Sequence, residues 1–81
     1  MDLDSLMAAK KVVGTKETLR LMEKGQPKVV LIAKDAQREI VDPLIALCDN
    51  KQIEIVWIED LRLLGKICGV AVKTAAAAIL E

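Results

Sequence analysis

The run KVVLIA at 28–33 restricts the fold more than any other stretch. After its lysine it is apolar throughout and rich in β-branched residues. An alternating strand can leave one face in water, whereas a continuous apolar strand needs cover on both. The chain has 81 residues, enough for one small domain that buries only about 60–65% of its unfolded surface. The cover must therefore come from helices of the same short chain. With Trp57 as the only aromatic residue, the core must be built from Val, Ile, Leu, Ala and Met.

The remaining elements can be read around that strand. Asp4 or Ser5 is placed to cap a short first helix through Lys10, with Leu3, Leu6 and Met7 turned inward. KVV at 11–13 reads as a short strand ended by Gly14. Thr15 to Lys24 reads as a helix that buries Leu19, Met22 and, at its margin, Leu21. Gly25 stops it and Pro27 bars its continuation. Ile40, Val41, Leu44, Ile45, Leu47 and Cys48 recur at helical spacing, with Pro43 in the first turn or at a bend and Asn50 near the end. IEIVWI at 53–58 is the next strand, with Trp57 read as core. Glu59 and Asp60 favour the start of a helix through Cys68, with Leu61, Leu64 and Ile67 inward and Gly69 as its stop.

The last segment is a conflict. Ala75 to Ala78 favour helix by propensity. A helix of about seven residues is marginal alone, however, and small side chains in a central strand let helices pack closely on both faces. The alternation that precedes it favours a strand. The expected order is αβαβαβαβ, a three-layer α/β/α sandwich with a four-stranded mixed sheet, as a single domain over residues 1–81.

Charge is informative by position only. The formal net charge is zero. Residues 10–34 nevertheless carry seven basic side chains against Glu17 and Glu23, while residues 35–60 carry seven acidic ones against Arg38 and Lys51. That block pattern fits either a basic end that steers a polyanion or two solvated faces. On the first reading Lys10, Lys11, Lys16, Arg20, Lys66 and Lys73 converge at one end.

Several function classes find no support. There is no His and no Tyr, the one Ser is Ser5, and Cys48 and Cys68 have no base beside them in sequence. The acids are scattered at surface-like spacing, so no metal set is expected. Glycines at 14, 25, 65 and 69 form neither GxGxxG nor a P-loop, and no cofactor is expected. The two cysteines lack a CxxC and read as buried free thiols in a reducing compartment. The N-terminus is acidic before it is basic, unlike a secretory signal, and no apolar run approaches the ~20 residues of a membrane span. These readings point to a soluble, cytoplasmic, non-enzymatic protein. One aromatic is too few for a surface that stacks successive bases.

The stretch VGTKETLRLMEKG at 13–25 remains. Gly14 removes a side chain where the backbone turns, and the free N–H groups of the helix start would face outward. Lys16 and Arg20 are four residues apart and Glu17 and Arg20 three, so all can project from one end of a helix. Basic groups suit phosphate or guanine O6 and N7. Glu17 beside phosphates would be repelled, so it makes sense there as an acceptor from base N–H groups. Equally, Glu17 can serve the helix dipole and pair with Arg20.

VGTKETLRLMEKGQPKVVLIAKDA, with the later LCDNKQI and LGKICGVAVKTAAAAIL, resembles the kink-turn-binding ribosomal-protein family. That family includes archaeal and eukaryotic large-subunit proteins, the box C/D particle core protein and small bacterial homologues. The likeness runs from about Lys10 to Leu80. It implies an α/β/α sandwich, a strand for the Ala-rich segment, and RNA binding without enzymatic activity.

The resemblance also implies where RNA would sit. The family's recognition helix reads G-x-N-E with a basic residue three positions after the Glu. Gly14, Glu17 and Arg20 match, Thr15 fills the open position, and Lys16 stands where many members have Asn. The second contact surface would be the loop Val70, Ala71, Val72 and Lys73, where Ala71 replaces a common acidic residue. The turn from Lys34 to Gln37 would hold a flipped-out nucleotide. The implied partner is structured RNA with tandem sheared G·A pairs, in ribosomal or regulatory RNA, the ribosome included, bound by a monomer. The rival expectation is a protein–protein adaptor on the same fold; a weaker one is an accessory domain of an RNA-modifying enzyme.

Overall fold

A computed structural model describes residues 2–80, so Met1 and Glu81, the ends of the expected domain, lie outside it. The elements are α1 (Leu3–Ala8), β1 (Lys11–Val13), α2 (Thr15–Lys24), β2 (Val29–Ala33), α3 (Arg38–Lys51), β3 (Glu54–Ile58), α4 (Leu61–Cys68) and β4 (Ala76–Ile79). The alternating order read from the sequence is the order observed.

The sheet runs β1-β4-β2-β3. β2 pairs parallel to β3, while β4 lies between β1 and β2 and is antiparallel to both. α2 packs on α3, and α1 packs on α4. All residues of β2 and β4 are buried, which is what strands covered by helices on both faces require. The Ala-rich segment is thus a central strand. Its pairing with two neighbours supplies the backbone hydrogen bonds that an isolated short helix could not hold.

Several local expectations need correction. Asp2, not Asp4 or Ser5, caps α1 by accepting from the Ser5 amide at 2.8 Å. The helix ends at Ala8 rather than Lys10, because Ala9 is extended, with Leu6 buried and Leu3 and Met7 exposed. On α2 the buried residues are Thr18 and Met22, one turn apart; Leu19 and Leu21 flank this stripe half-buried. The Thr18 hydroxyl is buried with no hydrogen-bond partner. α3 passes Asn50 and ends at Gln52, which takes the left-handed conformation at φ 60°. Pro43 falls in the second turn of α3, where its ring removes one helical hydrogen bond.

Trp57 is the largest departure: it is 46% exposed. β3 is an edge strand, and α3 and α4 do not cover it fully, so an apolar strand pattern did not guarantee burial. Cys48 is a buried free thiol, and Cys68 is free but only half-buried. Burial pushes both thiols up from the ordinary value, partly offset at Cys68 by the Lys11 charge. No helix among the described residues is long and apolar enough to cross a membrane.

Candidate nucleic-acid interface

β1, β2 and β3 all run toward the same end of the sheet, and β4 starts there. The register shows this, with Val13 opposite Ala77, Ile32 opposite Ala76 and Ile32 beside Trp57. Backbone hydrogen bonds close that end: Gly14 N to Ala76 O at 2.9 Å, Ala33 N to Ala75 O at 3.0 Å, and Lys34 N to Ile58 O at 2.8 Å. The start of α2, the 34–37 turn, the start of α4 and the 70–73 loop therefore emerge side by side. All three segments singled out in the sequence are brought to one end.

Not all the basic residues follow them. Lys10 O accepts from Leu80 N, and Lys28 N donates to Ile79 O, at the opposite end of the sheet. Lys11 lies there too, opposite Ile79, with its Nζ donating to the Met7 carbonyl at 3.0 Å. The expected convergence of Lys10 and Lys11 with Lys16, Arg20, Lys66 and Lys73 is therefore incorrect. A charge block in sequence is split when a strand carries the chain from one end of a sheet to the other.

Gly14 is the N-cap residue of α2, at φ 102° and ψ 151°. That region belongs almost wholly to glycine. No side chain caps the helix start, so the first amide N–H groups face outward with the positive end of the helix dipole. Lys16 and Glu17 are exposed on this first turn, and Thr15 is half-buried. Arg20 Nη1 lies 3.3 Å from Glu17 Oε1, with both side chains about half exposed. The local pairing read from the spacing is thus present, yet it leaves the carboxylate within reach of a ligand. An exposed pair of this kind contributes only about 0–1 kcal/mol, so a ligand can compete for it.

The other segments are held by α4. Leu61 N donates to Asp35 Oδ1 at 2.8 Å, and Leu63 N to Asp60 Oδ1 at 2.7 Å, so two carboxylates cap one helix. Through Asp35 the 34–37 turn is tied to α4. Lys34 and Gln37 are exposed on that turn; Lys34 Nζ lies 3.4 Å from Glu59 Oε2, and Gln37 begins α3 without a side-chain cap bond. Thr74 N donates to Leu61 O at 3.2 Å, and Val70 N to Gly65 O at 3.1 Å. The backbone N–H and C=O of Leu61 thus connect both surface segments. Between these bonds Val70, Ala71, Val72 and Lys73 are exposed, with Val72 at 69%.

Gly65 explains how close that loop can come. A Cβ built there would lie 2.3 Å from the Val72 carbonyl oxygen, a distance only a glycine permits. Gly69, at φ 73°, closes α4 and turns the chain into the loop. Asp60, read from the sequence as favouring the helix start, is its N-cap, whereas Asp35 and Gly65 were missed as builders of the site. A glycine inside an apolar helical pattern was an available signal for Gly65. Asp35 had none, because its partner lies 26 residues away. Among the described residues there is no group of acids or thiols that could hold a metal ion.

The fold and this arrangement fit one class of protein. The model of the ribosomal protein L7Ae/L30e/S12e/Gadd45 family matches residues 2–81, and the chain belongs to that family. An RNA-binding protein of Halalkalibacterium halodurans is 40% identical over 68 residues, spanning 84% of this chain and 83% of its own. The RNA-binding protein YbxF of Geobacillus stearothermophilus is 35% identical over 76 residues, spanning 94% and 93%. Among solved structures, a 15.5 kD RNA binding protein of Giardia lamblia superposes with a TM-score of 0.84 at 32% identity. That match covers 98% of this chain and 70% of the other.

Proposed function

We propose that this protein binds structured RNA at kink-turns or related kink-loops and holds them in the bent conformation. The observation that carries the reading is the meeting of the α2 start, the 34–37 turn and the 70–73 loop at one end of the sheet. Membership of a family whose relatives are named RNA-binding proteins supports the polymer class. A kink-turn bends a duplex sharply beside tandem sheared G·A pairs, which present guanine edges in a widened groove. Lys16 and Arg20 supply donors for O6, N7 or phosphate, and the half-exposed Glu17 accepts from base N–H groups. Val70 and Val72 offer apolar cover to an unstacked nucleotide, and Gln37 an amide for its edge. Only the bent RNA meets all of these groups at once, so binding shifts the RNA toward it. No step of this function needs bond chemistry, and the protein acts in the cytoplasm as a monomer.

The decisive measurement is a gel shift on a kink-turn duplex and on the same duplex with its G·A pairs replaced by Watson–Crick pairs. Glu17→Gln keeps size and removes charge. It should weaken kink-turn binding by about 1–3 kcal/mol, the scale of one good base-edge contact, and shrink the discrimination between the two RNAs. Stability should change by no more than about 0.5 kcal/mol, because the side chain is exposed. Unchanged or tighter kink-turn binding would reduce Glu17 to a partner of Arg20 and the helix dipole. One feature favours the adaptor reading instead. An acid-rimmed cleft of about 670 Å³ lies between α3 and the β3 edge, with Ile45, Ile53 and Ile55 in its lining beside Asp49 and Glu54. Equal binding to both RNAs would move the assignment toward that surface.

A further inference from the structure

We propose that Arg62, Lys66 and Lys73 form a seat for a backbone phosphate of the RNA, on the flank of α4 away from the α2 start. The inference rests on the RNA reading above. An open cleft of about 280 Å³ is lined by Arg62, Lys66, Val70, Ala71, Val72 and Lys73. No acidic residue lines it. Its volume falls just below the ~300–1,000 Å³ of ordinary small-molecule pockets, which suits a phosphate group better than a whole cofactor.

Among the described residues, the charges around this cleft are not paired with acids. Arg20, Lys34 and Arg38 each lie against a carboxylate, of Glu17, Glu59 and Asp42. Among the described residues, Arg62, Lys66 and Lys73 have no ion-pair or hydrogen-bond partner and are all exposed. Of the acids around the start of α4, Asp35 and Asp60 are bonded to its amides and Glu59 pairs with Lys34. Arg62 and Lys66 are one turn apart, hence on one helix face, and the loop brings Lys73 back beside them.

The wall opposite α4 is fixed in place. Val70 N and Thr74 N are bonded to α4 carbonyls at each end of the loop, and Gly65 lets the Val72 carbonyl lie against the helix. The three cations are therefore held around a built cleft rather than scattered over a surface. A nucleotide covered by Val70 and Val72 would bring its own phosphate, or the next one, over this cleft. Guanidinium and ammonium groups are the ordinary donors to phosphate oxygens.

The test compares Arg62→Gln/Lys66→Gln with Lys24→Gln/Lys28→Gln, an equal change in net charge at the far end of the sheet. All four side chains are exposed, so thermal unfolding should confirm that both variants fold like the parent. Affinity for the kink-turn and the plain duplex is measured across a salt series. The first variant should lose roughly tenfold at low salt, the scale of a charge-assisted hydrogen bond. Its plot of log affinity against log salt should be shallower by about 0.7–0.9, one phosphate's worth. The control variant should keep the parental slope. Equal losses in both variants would reduce the cleft to net charge and overturn the seat. A saturable response of the Val70–Lys73 amides to inorganic phosphate, with RNA binding by the first variant unchanged, would assign the cleft to a free anion and overturn the RNA assignment. If the parent bound both RNAs equally, the kink-turn reading would fall, and the slopes on either RNA would still decide the seat. No binding of either RNA by the parent would overturn both.

Discussion

The start of α2 and the loop on α4 flank the same end of the sheet, and each depends on a glycine for a different reason. Gly14 is needed for its backbone conformation: φ is 102°, and a Cβ there would meet nothing within 4 Å. Gly65 is needed for space: its helical backbone is ordinary, and a Cβ would strike the Val72 carbonyl. The first region is made by residues adjacent in sequence, a turn and a helix start. The second is made by contact between a helix and a loop that returns to it. A surface built locally can be altered one residue at a time, whereas one built by contact moves as a unit.

The largest effect should come from enlarging Gly65. Gly65→Ala should lower stability by about 3 kcal/mol, the upper part of the usual range for overpacking, and Gly65→Val by more. Thermal or urea unfolding of the two variants checks this. The loop must shift, so kink-turn binding should fall even under conditions where the variant is fully folded. At Gly14 the expected loss is about 1–3 kcal/mol, set by backbone strain rather than by the space a side chain needs. Gly14→Ala and Gly14→Leu, neither branched at Cβ, losing similar amounts would uphold the contrast; a steep dependence on size would break it.

Asp35→Ala should come next, at about 1 kcal/mol, the usual value of a helix cap. Asp35→Asn keeps an acceptor for Leu61 N and should recover most of that loss. Should Asp35→Ala weaken RNA binding beyond its effect on folding, the 34–37 turn and the 70–73 loop act through their shared attachment to Leu61. The smallest effect is expected from Thr18→Val, and it should be stabilising. The hydroxyl is buried and unpartnered, so a near-isosteric apolar replacement should raise stability by up to about 1 kcal/mol without touching the exposed face of α2. A destabilised Thr18→Val protein would show that the hydroxyl has a partner in solution, and that the α2 start is less self-contained than Gly14 suggests.

The same contrast separates what the sequence revealed from what it hid. The limits of α2 were legible because Gly14, Gly25 and the spacing of its apolar residues act within a few residues of one another. The buried strand β2 was legible because a continuous apolar run admits few other environments. Glu17, Lys16 and Arg20 were legible as a group for the same local reason. Trp57 was misread because burial depends on what covers a strand, and nothing near residue 57 says that β3 is an edge. Lys10 and Lys11 were misassigned because a run of charge in sequence carries no direction in space.

By itself, then, the sequence determined the order of elements, the apolar composition of the core and the polar character of the first turn of α2. These are set by helix and strand periodicity and by residues that start and stop elements, all short-range effects. Tertiary structure alone decided that β4 lies between β1 and β2, that Asp35 caps a helix 26 residues away, and that Gly65 admits the Val72 carbonyl. It also decided which lysines share an end of the sheet. Those features depend on which surfaces bury each other, and the hydrophobic drive that brings them together is non-directional until side chains and backbone bonds select one arrangement.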